Sequence, residues 1–185
     1  VAPDDGTVAK RSPFVADVAA MRERARKSML DGAVTDTYGL DEKAAVKVLN
    51  EALATELVCV LRYKRHAFMA RGPNSEPIAN EFMEHAKEEA AHADLIAARI
   101  VQLGGEPDFS PDSLSGRSHS EYKEGKDMRS MIEEDLVAER IAIDSYREMV
   151  RWFGEHDSTT RRMLEEILAT EEEHADELAD LLQKS

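Results

Sequence analysis

The sequence predicts an all-α fold: four long helices joined by two short turns and one long crossover, with a smaller helix ahead of them. Three observations predict it. Apolar residues recur at the i, i+3, i+4, i+7 spacing of a helix over long runs, no stretch alternates as a half-buried strand would, and the glycines and prolines gather at a few places between the runs.

Ser12-Pro13 reads as a cap followed by a first-turn proline. It opens a short helix through Met21-Arg22-Glu23-Arg24-Ala25-Arg26-Lys27 to about Leu30, before Gly32. Residues 31–40 follow as a linker, so 1–40 form an N-terminal extension and 41–185 the bundle. The first bundle helix starts near Asp41 and reaches about Arg71, where Gly72-Pro73-Asn74 stops it. The second spans about Glu76 to Leu103 and ends at Gly104-Gly105. From Glu106 to Gly125, Pro107, Pro111, Gly116 and several serines leave no room for a regular element, and the stretch is long enough to cross over. The third runs from about Asp127 to Phe153, ahead of Gly154, and Asp157-Ser158 caps a fourth that reaches nearly to Ser185. Two short connections flanking one long one make a four-helix bundle with a single crossover.

Composition narrows the function classes. A chain of 185 residues suits one domain, and no stretch approaches the ~18 apolar residues of a membrane span. The net charge of −14 opposes binding of nucleic acid or anionic lipid over the whole surface and attracts cations. A lone Cys59 cannot staple the fold, and Asp4 and Asp5 open the chain with no apolar run after a basic start; both fit a cytoplasmic protein without a secretory signal. Residues 1–30 hold six Lys or Arg against four Asp or Glu, leaving −16 for the remainder. DNA binding usually needs a denser basic cluster, so DNA is not the expected partner. An amphipathic helix packing Phe14, Val15, Val18, Met21 and Ala25 against its own or a neighbouring subunit is the more economical reading.

The apolar stripe of each bundle helix is interrupted by acid. Leu49, Leu53, Glu56, Val60, Tyr63 and Ala67 share one face of the first helix; Ile132, Leu136, Glu139, Ile143, Tyr146 and Val150 share one of the third. On the second, Phe82, Ala86, Glu89, Ala93 and Ile96 lie with His92, and on the fourth Leu164, Leu168, Glu171, Ala175 and Leu178 lie with His174. A buried carboxylate protonates or finds a countercharge, and no lysine or arginine falls on these stripes. Two divalent ions would neutralise four carboxylates, and two neutral imidazoles would add nitrogen donors without adding charge.

Spacing points the same way. Residues three apart on a helix project to one side, so Glu89 with His92, and Glu171 with His174, each offer an oxygen and a nitrogen together. "ELVCVLRY" from Glu56 matches "ERIAIDSY" from Glu139, each with a tyrosine two helical turns after its glutamate, and "EAAHAD" matches "EEEHAD". The chain is therefore an approximate repeat of one helical hairpin, with two halves of one site related by a pseudo-twofold axis.

Across all four bundle helices, "VLNEALATELVCVLRY", "EEAAHADLIAARIVQLGGEPD", "DLVAERIAID" and "MLEEILATEEEHADELADLL" resemble the ferritin-like superfamily, and within it bacterioferritin and the smaller Dps-like proteins. The resemblance implies two iron ions per subunit, with Glu56 and Glu139 as terminal ligands, Glu89 and Glu171 bridging, and His92 and His174 on one metal each. It implies a ferroxidase that oxidises Fe(II) with O2 or H2O2 and passes Fe(III) into a homo-oligomeric shell; manganese and zinc suit the same donors. Ala90 stands where the haem-ligating methionine of bacterioferritin would be, so haem is not expected. The sequence runs only about eleven residues past His174, which favours a 12-subunit shell over one of 24 with a closing fifth helix. Thiol-containing relatives of the smaller kind carry a cysteine pair that this sequence lacks. The rival readings are a di-iron or di-manganese peroxidase or catalase without mineral storage, and a DNA-binding Dps-like protective protein.

Other residues have blander expectations. Tyr63 and Tyr146 are core residues whose hydroxyls bond a carboxylate, rather than redox partners. His85 pairs with Glu88 or Glu89, rather than serving a passing iron. His66 lies towards the inner side of its helix, Cys59 is packing material, Trp152 is a core or interface anchor, and His119 and His156 have no role.

Overall fold

The computed structural model describes residues 14–27, 29–30, 32–73 and 75–184. The Asp4 and Asp5 start, the Ser12-Pro13 cap, Asn74 of the first stop and Ser185 fall outside them. Among the described residues there is no strand, and the helices in chain order are α1 Val18–Lys27, α2 Glu42–Met69, α3 Ser75–Gln102, α4 Leu114–Arg117, α5 Met128–Phe153 and α6 Ser158–Lys184. None of them is long and apolar enough to cross a membrane.

The four long helices follow local signals. The Asp41 carboxylate accepts from the Lys43 N–H, and Asp127 and Ser130 form a reciprocal capping box at the start of α5. Asp157 accepts from the Thr160 N–H at 2.9 Å to open α6. At the end of α5 Gly154, with φ of 47°, takes the left-handed turn and donates back to the Val150 carbonyl. Gly105 is required for a different reason: a Cβ there would stand 2.5 Å from Val46 Cγ2, so the chain leaving α3 can lie against α2 only without a side chain.

α2 packs chiefly on α3 and α5 on α6, so each hairpin is a unit, and the hairpins meet through α2–α5 and α3–α6. Apolar burial falls into two clusters. One holds Leu49, Leu53, Ile96, Ile100, Phe153 and Leu164; the other holds Phe82, Ile132, Leu136 and Leu178. On every long helix a glutamate of the expected site lies between the residues given to one cluster and those given to the other. A polar layer therefore divides the core across its middle.

Three expectations need correction. The crossover contains the single helical turn α4, stabilised by tertiary contacts that no local pattern announces. Arg117 donates to the carbonyls of Asn50 and Asp108, and the Asn50 amide bridges Glu106 and Asp108. The N-terminal helix is shorter than expected because Asp17 caps it, accepting from the Ala20 N–H. It buries no residue, and of the side chains expected to pack, Phe14 and Val15 ahead of it are 94% and 86% exposed and Val18, Met21 and Ala25 are exposed too, so none of the five enters the core of its own subunit. The linker does pack, through Val34, Tyr38 and Leu40. Trp152 is 41% exposed and meets Phe153 edge-on, which removes the core half of its expected role as a core or interface anchor.

Two buried polar clamps were not legible either. Arg62, off the α2 stripe, is wholly buried with its Nε 2.7 Å from Asp135 of α5, and His66 Nδ1 lies 2.8 Å from the other Asp135 oxygen. Arg62 also donates to the Glu121 carbonyl, and His66 Nε2 faces that of Lys123, which straps the crossover to α2. In the other clamp Arg99 bonds Asp157 and Thr160, while Tyr38 donates to Asp157 at 2.8 Å.

Asp135 carries two buried basic partners, so Asp135→Ala should destabilise the fold by ~3–5 kcal/mol. Denaturant unfolding would measure this against Asp144→Ala, which removes an exposed acid from the same helix. Equal midpoints for the two variants would show that the clamp is not required.

Candidate metal centre

In the polar layer, helix register brings together all six residues singled out in the sequence. Glu56 of α2, Glu89 and His92 of α3, Glu139 of α5, and Glu171 and His174 of α6 are each at most 7% exposed. His92 Nδ1 lies 3.0 Å from Glu171, 3.4 Å from Glu56 and 3.6 Å from Glu89. His174 Nδ1 lies 3.7 Å from Glu89, 3.9 Å from Glu139 and 4.0 Å from Glu171. The arrangement resolves into two sets of donor atoms, each within 4.8 Å of one another: Glu56, Glu89, His92, Glu171 and Glu89, Glu139, Glu171, His174. Glu89 and Glu171 belong to both.

The pseudo-twofold repeat shows in the hydrogen bonds. Tyr63 of α2 donates to Glu139 of α5, and Tyr146 of α5 donates to Glu56 of α2. Each tyrosine thus serves the carboxylate of the opposite hairpin, which fixes one oxygen and leaves the other free. The partners expected for Tyr63 and Tyr146 are confirmed as carboxylates of the cluster.

What remains is a set of buried donors without partners. Glu56 Oε2, Glu89 Oε1, Glu139 Oε2, both Glu171 oxygens and the Nδ1 atoms of His92 and His174 make no hydrogen bond. Orphaned buried polar atoms cost stability, and here they converge from four helices. Carboxylate oxygen and imidazole nitrogen in these two overlapping sets fit a pair of divalent transition-metal ions.

Electrostatics express the same frustration. Burial, then the charge of Glu89, pushes Glu56 and Glu171 well above the ordinary carboxylate range, and raises Glu139. Burial works against charge on Glu89 too, but its contacts with Glu56, His174 and His92 win and hold it low. Burial also opposes charge on the histidines, yet contacts with Glu56 and Glu89 raise His92 to about 10, and contacts with Glu89, Glu139 and Glu88 raise His174 to about 9. The metal-free cluster holds protons where it would hold cations.

Sequence reasoning missed Glu88, whose Oε2 lies 2.7 Å from His174 Nε2 and so turns Nδ1 towards the cluster. It also misassigned His85, which pairs with Glu177 of α6 at 2.9 Å rather than with Glu88 or Glu89. Cys59 is a buried free thiol beside Arg62, and its burial raises its pKa well above the usual thiol value. His119 Nδ1 lies 3.1 Å from Ser145 Oγ, away from the cluster.

A histidine raised in the folded state contributes stability below its ordinary value of 6.5 and loses it as pH rises through the folded value. The three raised glutamates act in the same direction from lower pH. The melting temperature of the metal-free protein should therefore fall between pH 6.5 and 10, and His92→Gln/His174→Gln should flatten that fall. Calorimetry across this range checks it; a midpoint that holds steady or rises would mean the two histidines are not held charged.

Comparison with known proteins gives a consistent picture. The model of the ferritin-like domain family matches residues 46–185. A bacterioferritin from Mycobacterium avium is 30% identical over 139 residues, covering 75% of this chain and 83% of its own, and one from Rhodobacter capsulatus is 31% identical over 133 residues, covering 71% and 78%. Among solved structures, the bacterioferritin-related protein from Bacteroides fragilis, a dodecameric thioferritin, superposes with a TM-score of 0.76 at 34% identity, covering 79% of this chain and 88% of its own. Dps from Thermosynechococcus elongatus shares the fold, with a TM-score of 0.73 at 22% identity over 76% of this chain and 90% of its own.

Proposed function

The chain belongs to the ferritin-like family, and from that premise we propose that it is a ferroxidase, taking up two Fe(II) ions per chain as substrates. The observation that carries the reading is the pair of donor sets sharing Glu89 and Glu171. In this reading Glu89 and Glu171 span both metal positions, Glu56 and His92 complete one, and Glu139 and His174 complete the other. Each Fe(II) gives up one electron. The two electrons, with two protons, reduce O2 to H2O2 or H2O2 to two waters, and two Fe(III) remain.

The surrounding residues supply order and proton balance. Tyr63 and Tyr146 hold Glu139 and Glu56 by one oxygen each, so the other points at a metal position without a search over rotamers. Incoming Fe(II) displaces the protons held on the histidines and the raised glutamates, and the same groups neutralise the layer again when iron leaves. The ferric product passes to an oligomeric shell, for which the dodecameric Bacteroides fragilis relative supports twelve subunits. Ala90 offers no axial ligand for haem.

Glu89→Ala removes a carboxylate common to both sets. It should abolish rapid Fe(II) oxidation while the helical circular dichroism stays unchanged; wild-type rates in this variant would sink the assignment. Storage is tested separately, by aerobic Fe(II) titration of the metal-free protein with ferric absorbance as the signal. Rapid oxidation with soluble iron accumulating far beyond about two per chain is the expected outcome. Oxidation that stops near that ratio would make the metal pair a resident cofactor and favour a peroxidase or catalase.

A further inference from the structure

Beside the six-residue cluster, α3 and α6 enclose a cavity of about 250 Å³ lined by Glu81, Glu84, His85, Glu88, Glu173 and Glu177, with His174 at its inner wall. His85 is 1% exposed, and its ring is fixed on two sides: it stacks on His174 at 4.0 Å between centroids and meets Tyr63 edge-on at 5.2 Å. That packing directs Nε2 at Glu177, 2.9 Å away, with Glu81 at 3.9 Å. One nitrogen and two carboxylate oxygens lie within 4.8 Å of one another, and the other ring nitrogen, Nδ1, is buried without a partner.

The internal repeat shows that the fold does not demand these residues. Superposing the two Glu-x-x-His motifs sets His85 against Ile167, Glu81 against Met163 and Glu177 against Leu95. The equivalent positions of the other half thus carry apolar side chains, and the counterpart of His85, Ile167, is 1% exposed in the core. Burying an imidazole where the other half has Ile167 costs desolvation that an apolar residue would not. A bound cation offsets that cost.

We propose that Glu81, His85 and Glu177 form a third divalent-cation site, separate from the paired donor sets and adjoining them through the His85–His174 ring stack. Its donors suit Fe(II), Mn(II) or Zn(II). With the Glu81 and Glu177 side chains 35% and 44% exposed, solvent reaches the site and its ion exchanges readily. The site stands whether or not the paired sets oxidise iron.

Equilibrium dialysis of the metal-free protein against Zn(II), comparing wild type with Glu81→Gln/Glu177→Gln, tests the proposal. Both substitutions keep size and polarity at partly exposed positions, and circular dichroism confirms that the variant is folded. The variant should bind one Zn(II) per chain fewer, and anomalous scattering from Zn(II)-soaked wild-type crystals should place a peak among the three side chains. Equal counts in the two proteins, or a map with no peak there, would overturn the site and leave His85–Glu177 as a plain ion pair. An error in the reading of the paired sets would change both counts alike and leave the difference intact.

Discussion

Four carboxylates turned into the middle of a helical bundle are the constraint that the rest of the structure accommodates. Glu56, Glu89, Glu139 and Glu171 are each buried to within 1% of completely, and among the described residues the basic side chains that lie against them are the two histidines of the cluster. Such a layer repels itself and pulls water inward. The fold holds it closed with apolar clusters on both sides and with the clamps Arg62–Asp135–His66 and Arg99–Asp157–Thr160. These clamps consume buried charge in pairs, so the arginines stabilise the frame without quenching the centre. Had Arg62 reached Glu56 instead, it would have taken one carboxylate away from a cation.

Much of this could be read from the sequence. Helix periodicity gave the four stripes, and a helix turn of 3.6 residues makes Glu-x-x-His project two donors to one side. The caps at Asp41 and Asp127 and the stop at Gly154 are local chemistry, so the helix boundaries follow from them. Harder to read was whatever depends on a partner distant in sequence. α4 is a single turn held by Arg117 against α2; His85 faces Glu177 because α3 and α6 pack side by side; and Arg62, whose neighbours on the chain mark a half-exposed position, is buried by meeting Asp135. In each case the determining contact is between helices, and periodicity along one helix cannot register it. The exposed Phe14 and Val15 are the reverse case, an apolar pattern that the described residues of its own chain do not cover.

The repeat of the hairpin is close in the centre and lapses towards its edge. Tyr63 to Glu139 and Tyr146 to Glu56 are matched bonds across the pseudo-twofold axis, and each histidine faces its own glutamate and the two shared ones. One step outward the match ends: Glu88 supports His174, while the corresponding position on α6 is Thr170. The two halves of the centre therefore differ in the firmness with which their imidazoles are held.

That difference follows from the crossover. Two separate copies of a single hairpin, paired about a true twofold axis, would have to repeat every side chain on both sides, and any gain for one half would be imposed on the other. Joining the copies through the strapped segment 106–125 lifts that obligation, because His85 and Ile167 belong to one chain and can diverge. The linkage that completes the bundle thereby gives its symmetric interior a direction, with an acidic side and an apolar side.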